Sequence, residues 1–122
     1  LRLRYSRRAF HGGHCMISIT IPIVTVSEAN QRDHWRVKAK RVKAHRTAAR
    51  LLCPVYPLPC IVTLTRVAPR ALDDDNLRAA LKSCRDGVAD RLGIDDRDPR
   101  VEWRYGQAKG GACVVVALEA AA

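Results

Sequence analysis

The chain has no cysteine framework. Its five cysteines, at positions 15, 53, 60, 84 and 113, are odd in number and form no CxxC pair, which disfavours both a zinc ribbon and a complete set of disulfides and points to a reducing cytosol. Long apolar runs are missing as well, since no stretch approaches the roughly 18 to 20 residues of a membrane span. No apolar segment follows the first arginines, so a signal peptide is not expected. The four histidines, His11, His14, His34 and His45, lack metal-ligand spacing and read as polar surface groups. There is no internal repeat and no linker. At 122 residues the chain fits one domain with a real core and is too short for two large ones.

Carboxylates are also scarce. Twelve Asp or Glu stand against 22 Lys or Arg, a formal charge of +10. Such a field attracts polyanions and makes nucleic acid the first partner to test. Residues 1 to 15 hold four of those charges, Arg2, Arg4, Arg7 and Arg8, with no acid, and contain Gly12 and Gly13. They read as a disordered basic arm. Met16, the one methionine, directly precedes a strand pattern, which suggests an upstream-extended reading frame with a start near Met16. Between positions 32 and 50, eight basic residues (Arg32, Arg36, Lys38, Lys40, Arg41, Lys43, Arg46 and Arg50) accompany a single acid, Asp33. From 73 to 98 the balance inverts, with eight of the twelve acids against five basic residues.

Hydrophobic periodicity orders the domain. Ile17 to Ile21 alternates with a period of two, a strand stopped by Pro22. Trp35, Ala39, Val42, Ala49 and Leu52 trace one stripe of a basic amphipathic helix. Three of the six prolines, Pro54, Pro57 and Pro59, mark a connection before a second strand, Cys60 to Val67. Leu77, Leu81, Cys84, Val88 and Leu92 form a strong helical stripe, with Asp74 or Asp75 placed to cap it and Gly93 as C-cap. Val101 to Tyr105 and Ala112 to Leu118 read as two further strands joined by Lys109-Gly110-Gly111 in a hairpin. The expected fold is one small α/β (α+β) domain over residues 16–122, in the order β-α-β-α-β-β, with a mixed sheet and two main helices.

Asp73-Asp74-Asp75-Asn76 carries the clearest chemistry. In an extended segment Asp73 and Asp75 point the same way and can clamp a hard divalent cation together with substrate phosphates. The competing reading is that acids at a helix start satisfy free N–H groups, worth about 0.3 to 1 kcal/mol each. Three consecutive carboxylates exceed what capping needs, and their repulsion calls for a cation or a basic neighbour. Lys82 lies two helical turns after Asp75 and is either a charge-neutralising group at a phosphate or a solvated lysine paired with Asp86. Asp95-Asp96 follows at the far end of the helix, where acids in a turn are ordinary. Trp35 and Trp103 are expected to pack in the core rather than stack on bases, and Tyr105 has no assigned role.

The combination of an opening strand, a basic helix, Asp73-x-Asp75-Asn76-Leu77, a helix bearing Lys82 and Asp86, and Gly93-Ile94-Asp95-Asp96 before a strand resembles the RusA family of Holliday junction resolvases. The resemblance covers about residues 16 to 120, with its specific part at 73 to 101. It implies a prophage-type endodeoxyribonuclease of the cytoplasm, homodimeric, acting in DNA recombination and repair by Mg²⁺-dependent hydrolysis of branched DNA, with Mn²⁺ as an alternative metal. By that motif Asp73, Asp75 and Asp96 are the catalytic and metal-binding aspartates, with Asp95 and Asp98 open as alternatives to Asp96, and the family's lysine role transfers to Lys82. This chain has Ala79 where the family's lysine commonly stands. Leu72 precedes the first aspartate where the family often has arginine, with Arg70 two residues further back. Ser27 and Asn30 are kept in the N-terminal loop, but a Pro-Pro start is absent. Arg32, Arg36, Lys38, Lys40, Arg41, Lys43, Arg46 and Arg70 are the expected DNA contacts, with no membrane partner and no small-molecule cofactor. Two other classes fit the residues: a non-catalytic nucleic-acid-binding module, and an assembly protein that holds an acidic partner.

Overall fold

The computed structural model describes the backbone of residues 5–9 and 15, and residues 16–27 and 34–121 in full. Five strands and two helices follow one another as β1 (Tyr5–Ala9), β2 (Cys15–Ile21), α1 (Trp35–Leu52), β3 (Cys60–Ala68), α2 (Asp74–Leu92), β4 (Val101–Lys109) and β5 (Cys113–Ala120). From β2 onward this is the β-α-β-α-β-β order expected from periodicity, in a mixed sheet with two helices. Ahead of it, Tyr5–Ala9 lies in a strand rather than in a disordered arm, pairing antiparallel with β2 from Tyr5 opposite Ile19 to Ala9 opposite Cys15. Backbone pairing to an open sheet edge needs no apolar side chain, which is why composition alone did not reveal it.

The sheet order is β1-β2-β5-β3-β4. β3 and β4 are parallel, joined through α2, while β5 runs antiparallel to both β2 and β3. β4 and β5 are therefore not the expected hairpin. The short turn after Lys109 carries the chain past the end of β3, and Gly110 donates its N–H to the Ala68 carbonyl at 3.2 Å. A Cβ at Gly110 would lie 3.1 Å from Val67 Cγ1, so glycine allows this close crossing. Glycines mark a turn without specifying which strands flank it.

Strand alternation sorts the side chains. Cys60, Val62 and Leu64 of β3 and Val114, Val116 and Leu118 of β5 are fully buried, and the intervening residues are only partly covered. The helices cover this buried face, with Leu77, Leu81, Cys84 and Val88 of α2 entering the same core. Burying each such side chain contributes about 1.5 to 3 kcal/mol. The stripe of α1 differs from expectation: its buried residues are His45 and Ala49, whereas Trp35 is 67% exposed. With four alanines in the helix, the apolar pattern fits more than one face, and the packed one is set by close approach to α2. Trp103 packs partly buried against the core, as expected.

Candidate nucleic-acid interface and acid sites

α1 starts at His34, whose Nδ1 accepts the Arg36 N–H at 3.2 Å, and ends where Pro54 cannot continue it. Its eighteen residues include no carboxylate. Residues 34 to 40 are all exposed, including Arg36, Lys38 and Lys40, and so are Lys43, Arg46 and Arg50 further along. The Arg36 guanidinium lies over the Trp35 ring at 5.3 Å. Arg41 is half-buried. Arg70 is exposed in the connection after β3. Arg32 and Asn30 lie outside the described residues. Arg46 is already engaged, donating through Nε and Nη2 to the Asp90 carboxylate of α2 at 2.7 and 2.8 Å. That contact raises the Arg46 pKa and holds Asp90 below the usual carboxylate range.

β2, β3 and β4 point the same way, so their carboxyl ends share one edge of the sheet, the edge where open sheets of this kind gather ligands. The β3–α2 connection delivers the acid cluster there. Gln107 of β4 fixes that connection by accepting the Leu72 N–H at 2.8 Å and donating to the Leu72 carbonyl at 2.7 Å. Asp73, not Asp74 or Asp75, is the N-cap of α2, and its Oδ1 accepts the Asn76 N–H at 2.9 Å. Asp74 and Asp75 occupy the first helical turn and are exposed. At about 100° per helical residue, side chains two apart diverge around the axis, so the convergence expected of an extended Asp73-x-Asp75 does not follow from this backbone.

Asp96 belongs to the loop that follows α2. Gly93 caps α2 in the left-handed conformation at φ 71°, and the following loop folds back along the helix. Lys82 Nζ bridges Asp86 Oδ1 at 2.6 Å and Asp96 Oδ2 at 2.9 Å, so the structure joins Lys82 to Asp96 and also shows the Lys82–Asp86 pair. These contacts, Asp86 first, raise the Lys82 pKa; the bond from Lys82 holds the Asp96 carboxyl down. Arg85 secures the loop by donating to the Asp96 carbonyl at 2.7 Å and to the Tyr105 hydroxyl at 2.7 Å, while lying over Trp103 at 4.7 Å. Arg46, Lys82, Asp86, Asp90, Asp95 and Asp96 line a cleft of about 350 Å³ between the helices and this loop. Among the described residues no group of three or more His, Cys, Asp or Glu is placed to hold a metal ion. Of the three aspartates that the resemblance assigns to Mg²⁺, Asp73 accepts from the Asn76 N–H, Asp96 accepts from Lys82, and Asp75 is exposed in the first turn of α2.

Several residues of this region carried no sequence signal. Gln107 and Arg85 look like ordinary surface residues in sequence. Arg66 is different, because it occupies an inward position of β3 in line with Cys60, Val62, Leu64 and Ala68. A charge that breaks an apolar alternation could have flagged it. His45, expected at the surface, is buried at 8% exposure. No helix among the described residues is long and apolar enough to cross a membrane.

No protein-family model matches the chain. The chain is similar to an uncharacterised protein of Xylella fastidiosa, 36% identical over 104 residues, a match covering 73% of this chain and 66% of the relative. The chain thus spans just under two thirds of that relative's length. The likeness is one of ancestry and brings no stated activity with it.

Proposed function

We propose that this chain holds the phosphate backbone of branched DNA through α1 and cuts it as an endodeoxyribonuclease of the Holliday-junction-resolving kind. The observation that carries the binding half is α1: a helix without carboxylates that exposes cations along its length and a tryptophan at its start, with Arg36 over the tryptophan ring. Cations on phosphates position a protein on DNA without reading bases, leaving selectivity to junction shape. The cleaving half is supported by the RusA-type sequence pattern and by exposed Asp74 and Asp75 beside Asp73 at the carboxyl edge of the sheet. The same reading has the protein in the cytoplasm, acting in recombination and repair. A homodimer would offer two equivalent sites to a junction with approximate two-fold symmetry.

A non-catalytic nucleic-acid-binding module is the second reading, favoured by the use of Asp73 as a helix cap and of Asp96 as an ion-pair partner. One experiment separates them. A synthetic four-way junction is incubated in millimolar Mg²⁺ with the wild type and with Asp75→Asn. The nuclease reading expects cutting by the wild type and binding without cutting by the variant. Binding without cutting by both proteins supports the module, and equal cutting by both removes Asp75 from the chemistry.

A further inference from the structure

Arg66 is a charge in the wrong place for a structural side chain. It sits on the inward face of β3 at 8% exposure, in a row with fully buried Val62 and Leu64. Its Nε donates to Thr25 Oγ1 at 2.8 Å and its Nη1 to the Arg70 carbonyl at 2.7 Å. Both acceptors are neutral. No carboxylate among the described residues pairs with it, and the two hydrogen bonds use Nε and Nη1, not Nη2. Buried charges are ordinarily paired, because the desolvation of an unpaired one is not recovered from two neutral hydrogen bonds.

An unpartnered donor lies two residues beyond Thr25. Ser27 Oγ is buried and has no hydrogen-bond partner. Arg66 Nη2 and Ser27 Oγ can both donate, and Thr25 Oγ1, which accepts from Arg66, keeps its own proton to give. Three donors, one of them cationic, call for an anion with several oxygens. The place matches that chemistry. Thr25 and Ser27 follow β2, and Arg70 belongs to the connection that leads from β3 into Asp73, so the group stands at the carboxyl edge of the sheet.

We infer that Arg66, Thr25 and Ser27 form a phosphate-binding site at this edge, which takes one phosphodiester group of the DNA. The inference rests on the proposed function for the source of the phosphate, while the site's chemistry is testable without DNA.

The test is thermal melting of the wild type, Arg66→Gln and Ser27→Ala in sodium phosphate and in sodium chloride of matched ionic strength. A ligand that binds the folded state raises the melting temperature with its concentration. The wild type is expected to show a phosphate-specific rise that Arg66→Gln lacks. Ser27→Ala is expected to need about ten-fold more phosphate for the same rise, the loss of one hydrogen bond to a charged group. Arg66→Gln also loosens two loops, so each protein is compared only with itself in the two salts, and Ser27→Ala decides if the first variant fails to fold. Equal rises in all three proteins would overturn the site and assign the effect to surface cations. No phosphate-specific rise in the wild type would overturn it as well, leaving Arg66 as a clasp between the two loops. A parallel filter-binding measurement on the four-way junction uses Lys40→Gln/Lys43→Gln. Undiminished DNA binding by that double variant counts against the proposed role of α1, whereas failure of the melting result alone sinks only the phosphate site.

Discussion

Asp73 shows how much of an apparent active site can be local backbone chemistry. Its carboxylate closes the first turn of α2 through Asn76, and asparagine caps as well as aspartate while alanine does not. Asp73→Ala is expected to lose about 1 kcal/mol in urea unfolding, and Asp73→Asn to keep wild-type stability; a nuclease role for the charge would appear as lost cutting in Asp73→Asn alone. Asp98 is a second local case, held at a pKa of about 2, first by its hydrogen bonds from Arg100. A carboxyl whose folded pKa is depressed stabilises the fold above its ordinary value near 3.8, and the contribution disappears as the pH falls toward 2. Carboxyl titration by NMR is expected to place Asp98 near 2 in the wild type and to return it toward the ordinary value in Arg100→Gln. Which acids cluster was legible in the sequence, because charge density is additive along a chain. What each acid touches was not, because Lys82 reaches Asp96 across fourteen positions that no spacing rule links.

The two helices meet where Gly87 of α2 faces α1. A Cβ there would lie 2.3 Å from the Arg46 carbonyl oxygen and 2.7 Å from Ala49 Cβ. Gly87→Ala gains helix propensity of up to about 1 kcal/mol but forces the helices apart, and overpacking of this kind costs about 1 to 3 kcal/mol. The expected net result is a lower melting temperature, and an unchanged or raised one would mean that the helices separate easily. Arg46 and Asp90 bridge the same seam from its exposed side. Being half-exposed, that pair is worth only about 0.5 kcal/mol. It is retained above the ordinary carboxylate range and lost as acid protonates Asp90 below it. α2 was legible from sequence because one long stripe of Leu, Cys and Val admits a single buried face. α1 was less so: its small residues let it approach closely on a line through His45 and Ala49, and Trp35 fell outside that line.

For the molecule as a whole, the division of charge is the property with the widest consequence. If DNA binding runs through α1, its affinity is expected to fall with salt, log K against log salt having a slope of about −0.9 per phosphate neutralised. Lys40→Gln/Lys43→Gln is expected to flatten that slope by about two contacts. An unchanged slope would move the interface off α1. The order of elements could be read from alternating and helical periods, but not the order of strands in the sheet, since β4 and β5 are neighbours in sequence and not in space. The place of β5 has a consequence for how the protein is made. The last of the five described strands is the one that joins β2 to β3, so during synthesis β1 with β2, and β3 with β4, remain two separate half-sheets until β5 has left the ribosome. The core can therefore close only after translation has passed β5, and a chain stalled at the glycine turn would expose both inner strand edges to its neighbours.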